Sequence, residues 1–169
     1  MNPGITISDG HLRAIALEVA EILQQRKQML ALAESCTGGW IGKVLTDIPG
    51  CSEWFVGGAV AYAYEAKEAW LGVQAHTLEA YGAVSHETAS EMVAGALARF
   101  GGSIAVAVTG IAGPGGGTPD KPVGTVWIAW KQRGGYAQCE LCHFDGDREA
   151  VRRQTVAYAL HGIRKILTD

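Results

Sequence analysis

Residues 29–39 read MLALAESCTGG, an apolar run followed at once by an ionisable side chain, a hydroxyl, a thiol, a threonine and two glycines. MLALA is short, continuous and apolar, the pattern of a strand buried on both faces. The next apolar residues, Trp40, Ile41, Val44 and Leu45, recur at helical spacing and stop before Pro49 and Gly50, which predicts a helix whose first turn lies in CTGG. ESCTGG is then a strand-to-helix junction, and a buried strand running straight into a helix belongs to an α/β fold.

The rest of the chain extends this pattern. Leu12, Ile15, Val19, Ile22 and Leu23 predict an amphipathic helix from about Asp9 to Lys27. FVGGAVAY (55–62) reads as a second strand, and YEAKEAWLG after it as a short helix or helical turn. Ser85 is placed to cap a helix whose stripe is Ala89, Met92, Val93, Ala96, Leu97 and Phe100. SIAVAVT (103–109) is the most strand-like run. GIAGPGGGTPDKP (110–122) is too rich in Gly and Pro for regular structure, while VGTVWIAWK (123–131) and YAQCELCHF (136–144) read as a hairpin around RGG. A last helix is expected from about Asp147 to Leu167, turning Val151, Val156, Leu160, Ile163 and Leu167 inward. Helix-linked strands tend to be parallel and the hairpin adds antiparallel ones, so the expected architecture is one domain over 1–169 with a mixed sheet between helices. No internal repeat or linker interrupts it.

Composition bounds the function. The 169 residues are 48% hydrophobic, enough for one substantial core. A net charge of -3 and the lack of long Lys/Arg runs argue against nucleic acid or an anionic membrane surface as partner. No apolar run approaches the roughly 18 residues of a spanning helix, and MNPGITISDG lacks the pattern of a signal peptide, so a soluble, cytoplasmic protein is expected. Cys36, Cys51, Cys139 and Cys142 are expected to be reduced. Cys139 and Cys142 have CxxC spacing, but three residues along a strand put them on opposite faces, and no second ligand pair completes a zinc site. No metal is expected.

In open α/β sheets ligands settle at the carboxyl ends of strands, where helix N-termini offer free N–H groups. ESCTGG occupies that position. Ser35 or Thr37 can simply cap the helix, the glycines fitting a tight turn. Alternatively, a side chain of the junction attacks a carbonyl while the N–H groups of Cys36, Thr37, Gly38 and Gly39 stabilise the oxyanion. Ser35 and Cys36 compete as nucleophile. The five histidines lie in segments with no evident link to the junction, whereas a neutral lysine can activate a serine. Lys67, just beyond the second strand and near Tyr62, is a candidate, giving a possible relay of Ser35, Tyr62 and Lys67. TGIAGPGGGTPDKPVGT (109–125) matches neither standard phosphate loop, yet its length after a central strand suggests binding. Its candidate contributors are Thr109, Gly110, Gly113, Gly115, Gly116, Lys121 and Thr125. Arg148, Arg152 and Arg153 open the last helix, either as phosphate partners or as a solvated face.

AESCTGGWIGKVLTDIPG (33–50), the Tyr62-to-Lys67 segment, TGIAGPGGG (109–117), KPVGTVW (121–127) and FDGDREAVRRQTVAYAL (144–160) together closely resemble the CinA C-terminal domain family. The resemblance implies a three-layer α/β/α sandwich with a mixed, mostly parallel sheet, usually as a homo-oligomer. Stand-alone bacterial members include nicotinamide-mononucleotide deamidases, so it also implies metal-free, cofactor-free hydrolysis of that nucleotide's carboxamide to nicotinate mononucleotide and ammonia. The family's catalytic serine falls on Ser35, and the tyrosine and lysine of its Tyr-Ser-Asn-x-x-Lys motif on Tyr62 and Lys67. The glycine loop and Arg148 would then hold the ribose phosphate. YAYEAK departs from the motif at Ala63 and Tyr64, which leaves two alternatives: a non-catalytic nucleotide-binding paralogue, or an amidase for another carboxamide.

Overall fold

A computed structural model describes residues 6–168. The segment 1–5, part of the stretch read for a signal peptide, and residue 169 lie outside the described residues. Five strands, β1 (Leu30–Glu34), β2 (Phe55–Val60), β3 (Ile104–Gly110), β4 (Thr125–Gln132) and β5 (Gln138–His143), form one sheet in the order β2-β1-β3-β4-β5. β1 runs parallel to both β2 and β3, and the β4–β5 hairpin continues the sheet antiparallel. The helices are α1 (Asp9–Gln25), α2 (Trp40–Thr46), α3 (Tyr64–Leu71), α4 (Ala75–Tyr81), α5 (His86–Phe100) and α6 (Arg148–Thr168). None of these helices is long and apolar enough to cross a membrane.

The alternation that orients the central strands is large against small rather than apolar against polar. Leu30 and Leu32 of β1, with Ile104, Val106 and Val108 of β3, face a core shared with α1, α2 and α6. Ala31, Ala33, Ala105 and Ala107 face the other way, toward α5, α3 and α4. Successive strand residues point to opposite faces, so LALA and IAVAV each build one bulky face and one shallow face. The shallow alanine face lets α5 lie close against the sheet, where it contacts all five strands. The result is the three-layer α/β/α sandwich with a mixed sheet.

Two expectations change. CTGG is not the first turn of α2, because Gly38 (φ 62°) and Gly39 (φ 94°) are left-handed and a right-handed helix cannot pass through them. α2 starts at Trp40, and residues 36–39 form a separate turn in which Gly38 N–H donates to the Ser35 carbonyl (3.0 Å). α4 was not foreseen. It is seven residues long, buries only Thr77 and Leu78, and is anchored by Glu91 of α5, which accepts from Gln74 N–H and the Thr77 hydroxyl. Such a short helix, held by a partner in another element, leaves no periodic signal. Cys139 and Cys142 do lie on opposite faces, packed against the two different cores, and all four cysteines are free.

Candidate active site

The last aligned residues of the three parallel strands are Glu34, Val60 and Val108. The residues that follow them, Ser35, Ala61 and Thr109, therefore emerge together at the carboxyl end of the sheet. Two ladder bonds carry the alignment past the strand ends: Ser35 N–H donates to Val108 O (3.1 Å) and Ala61 N–H to Glu34 O (2.8 Å).

Lys67 reaches this edge from the first turns of α3. It is a lysine only 1% exposed, and Nζ lies 3.0 Å from Ser35 Oγ, 2.8 Å from the Ala61 carbonyl and 2.9 Å from the Tyr62 carbonyl. Desolvation disfavours the ammonium and pulls its pKa down to about 8. In the neutral amine two N–H groups satisfy the two carbonyls, and the lone pair is left facing Ser35, whose hydroxyl then donates to Nζ. Those carbonyls belong to the main chain, so Ala63 and Tyr64 leave the lysine's partners untouched. Tyr64 instead accepts the Ala83 N–H through its phenol oxygen (3.3 Å).

Tyr62 enters differently from the expected relay. Its contribution to Lys67 is the main-chain carbonyl, while the residue is 56% exposed and its phenol accepts from Arg148 (3.0 Å). The other arm of Arg148 donates to the Gly113 carbonyl (2.7 Å), so Arg148 ties Tyr62 to the glycine loop. In that loop the hydroxyls of Thr109 and Thr125 donate to the carbonyls of Ala83 and Pro122, and Lys121 donates to Tyr81 O. Gly110 ends β3 with its Cα facing β4, where a Cβ would come within 3.0 Å of Thr125 O and Val126. Gly115 and Gly116 are exposed.

The surroundings of Cys36 disfavour its thiolate. Cys36 is 4% exposed, and burial, reinforced by the Glu34 charge, pushes its thiol up to about 12. A thiol that stays protonated is a poor nucleophile. Glu34 itself was passed over in the sequence. Its buried carboxylate accepts from the Thr37 hydroxyl (2.6 Å) and from the N–H groups of Gly39, Ile41 and Gly42 (3.1, 3.1 and 2.8 Å), supplying the cap that Gly39 lacks. The signal was present, since an acidic side chain at the end of a buried strand needs several hydrogen-bond donors. The N–H groups of Cys36 and Thr37, by contrast, donate to no acceptor among the described residues. Of the three arginines opening α6, Arg152 bonds the Cys36 and Thr37 carbonyls and Arg153 pairs with Asp9 and Glu149, which leaves only Arg148 beside the glycine loop. Among the described residues no three His, Cys, Asp or Glu side chains are grouped to hold a metal ion.

Comparison with known proteins gives the family. The CinA C-terminal domain matches residues 12–167. The chain is 47% identical over 154 residues to the nicotinamide-nucleotide amidohydrolase PncC of Escherichia coli (strain K12), spanning 91% of this chain and 93% of that protein. It is 51% identical over 141 residues to a CinA-like protein of Akkermansia muciniphila, spanning 83% of this chain and 34% of that longer protein. The crystal structure of the competence/damage inducible protein CihA from Agrobacterium tumefaciens has a TM-score of 0.90 and 41% identity, over 96% of this chain and 97% of that one. With the domain match spanning nearly the whole chain and these relatives agreeing in sequence and fold, the protein belongs to the CinA C-terminal domain family.

Proposed function

We propose that this chain is an amidase that hydrolyses the carboxamide of nicotinamide mononucleotide to nicotinate mononucleotide and ammonia. The observation that carries the reading is the buried Lys67 amine 3.0 Å from Ser35 Oγ, and the 47% identity to a nicotinamide-nucleotide amidohydrolase names the substrate class. At pH 7.5 a lysine with a pKa near 8 is neutral in about a quarter of molecules, against about 0.1% at its ordinary value. Burial therefore raises the supply of base by more than two orders of magnitude.

Ser35 Oγ attacks the carboxamide carbon as its proton passes to Lys67 Nζ. The oxygen that gains charge is met by the free N–H groups of Cys36 and Thr37. Lys67, now an ammonium held by the Ala61 and Tyr62 carbonyls, gives its proton to the amide nitrogen, and ammonia leaves with the C–N bond. Neutral Lys67 then takes a proton from water as that water attacks the acyl-serine, and returns it to Ser35 Oγ as the C–O bond breaks, which restores the hydroxyl and releases the acid as its carboxylate. Tyr62 and Arg148, joined to each other and to Gly113, form the polar wall assigned to the ribose phosphate. A homo-oligomer fits the exposed Val56, Val60 and Trp70 around the open edge of β2.

The purified chain incubated with nicotinamide mononucleotide is expected to release ammonia and nicotinate mononucleotide in equal amounts, with far slower release from free nicotinamide, which lacks the phosphate. Tight nucleotide binding with no ammonia over hours would point to a binding paralogue instead.

A further inference from the structure

Two left-handed glycines make residues 36–39 a turn with many conformations open to it, yet two of its amides must point at one oxygen. Arg152, in the second turn of α6, lies against the carbonyl side of that turn. Its Nε donates to the Cys36 carbonyl at 3.1 Å and one terminal nitrogen to the Thr37 carbonyl at 2.8 Å. The guanidinium also lies 5.3 Å from the centre of the Trp40 ring, and a Cβ added at Gly38 would come 3.4 Å from its Nη2.

The Cys36 carbonyl shares a peptide plane with the Thr37 N–H. In a trans peptide the two point in opposite directions, so holding the carbonyl toward α6 turns the N–H away from it. That N–H has no acceptor among the described residues, whereas the next one, of Gly38, is used on Ser35 O. On the other side of the turn Glu34 holds the Thr37 hydroxyl and the Gly39 N–H. The turn is thus fixed between a cation on its carbonyls and an anion on its donors. A lysine in place of Arg152 brings one point charge and no planar fork, and cannot match both carbonyls in the same geometry.

We propose that Arg152 is a positioning residue for the oxyanion-binding N–H of Thr37, acting through the Cys36–Thr37 peptide plane without touching the substrate. The inference rests on Ser35 being the nucleophile. It separates the arginines of α6 by role: Arg148 faces the glycine loop and Arg152 sets the turn. A group that acts only on the oxyanion changes kcat and leaves ground-state binding alone.

The test measures kcat and KM for nicotinamide mononucleotide in Arg152→Met and Arg152→Lys, with folding checked by thermal unfolding. It adds calorimetric binding of the nucleotide in the Ser35→Ala background, with and without Arg152→Met. Arg152→Met is expected to lower kcat about ten- to hundredfold, as for loss of an oxyanion donor, with nucleotide affinity changed less than about twofold. Arg152→Lys is expected to fall between Met and wild type, and it carries the test if Arg152→Met does not fold. Wild-type kcat in Arg152→Lys and Arg152→Met overturns the inference, as does weaker nucleotide binding with kcat retained, which would make Arg152 a phosphate ligand. Wild-type turnover in Ser35→Ala would instead overturn the reading beneath it, so the two failures are distinguishable.

Discussion

Lys67 is a cation placed where water scarcely reaches it, and its three near neighbours are all oxygens. Two of these are carbonyls that fix its direction, and desolvation outweighs the bonds they make to the ammonium, so its pKa stays near 8. The consequence is a pH dependence with a defined sign. The base must be neutral, so kcat/KM for nicotinamide mononucleotide is expected to climb with pH through about 8 and level off above it. A profile already flat from pH 6 upward would remove Lys67 from the role of base. Cys36 adds no competing limb in that range, because its thiol is held near 12. At this scale the sequence was partly legible. ESCTGG and YAYEAK named Ser35 and Lys67 as candidates, but Tyr62 looked like a relay because a sequence displays side chains. Its carbonyl is what touches the lysine, and any residue at that position carries one.

Among the elements, α3 is the one that must be placed most accurately, since it delivers Lys67 to the end of β1. It is set by contact with α5, which lies on the alanine face of the sheet. Gly95 of α5 touches the backbone of Leu71 at the end of α3, where an added Cβ would sit 1.8 Å from the Leu71 carbonyl oxygen. Gly95→Ala therefore cannot be absorbed by a rotamer change, and the two helices must separate. We expect a loss of about 1–3 kcal/mol in stability, typical of overpacking, together with a fall in kcat as Lys67 is carried away from Ser35. Denaturant unfolding and the ammonia assay check the two parts, and a variant as stable and as active as wild type would show that α3 is positioned by something else. The strands MLALA and SIAVAVT were readable as continuous apolar runs, and α5 because Met92, Val93 and Ala96 repeat with a helical period. The start of α2 was not, because the left-handed conformations of Gly38 and Gly39 are invisible in a pattern of apolar residues. Neither was α4, whose anchor is Glu91 on another helix.

Over the whole molecule the site is a meeting of separate stretches of chain: Ser35 at the end of β1, Lys67 thirty-two positions later on α3, and Arg148 eighty-six positions beyond Tyr62 at the head of α6. Only closure of the sheet in the order β2-β1-β3 brings these together, with two distinct cores holding the layers on either side. That is why residue types could be nominated from sequence while their contacts could not. Arg152 shows the difference most clearly, since nothing in DREAVRR marks which arginine turns toward Cys36 and Thr37. The most direct measurement is ammonia release from nicotinamide mononucleotide by Ser35→Ala beside the wild type. With Ser35 as nucleophile the variant is expected to lose nearly all turnover, at least about a thousandfold, while still binding the nucleotide and unfolding at a similar temperature. Release at the wild-type rate would contradict the mechanism.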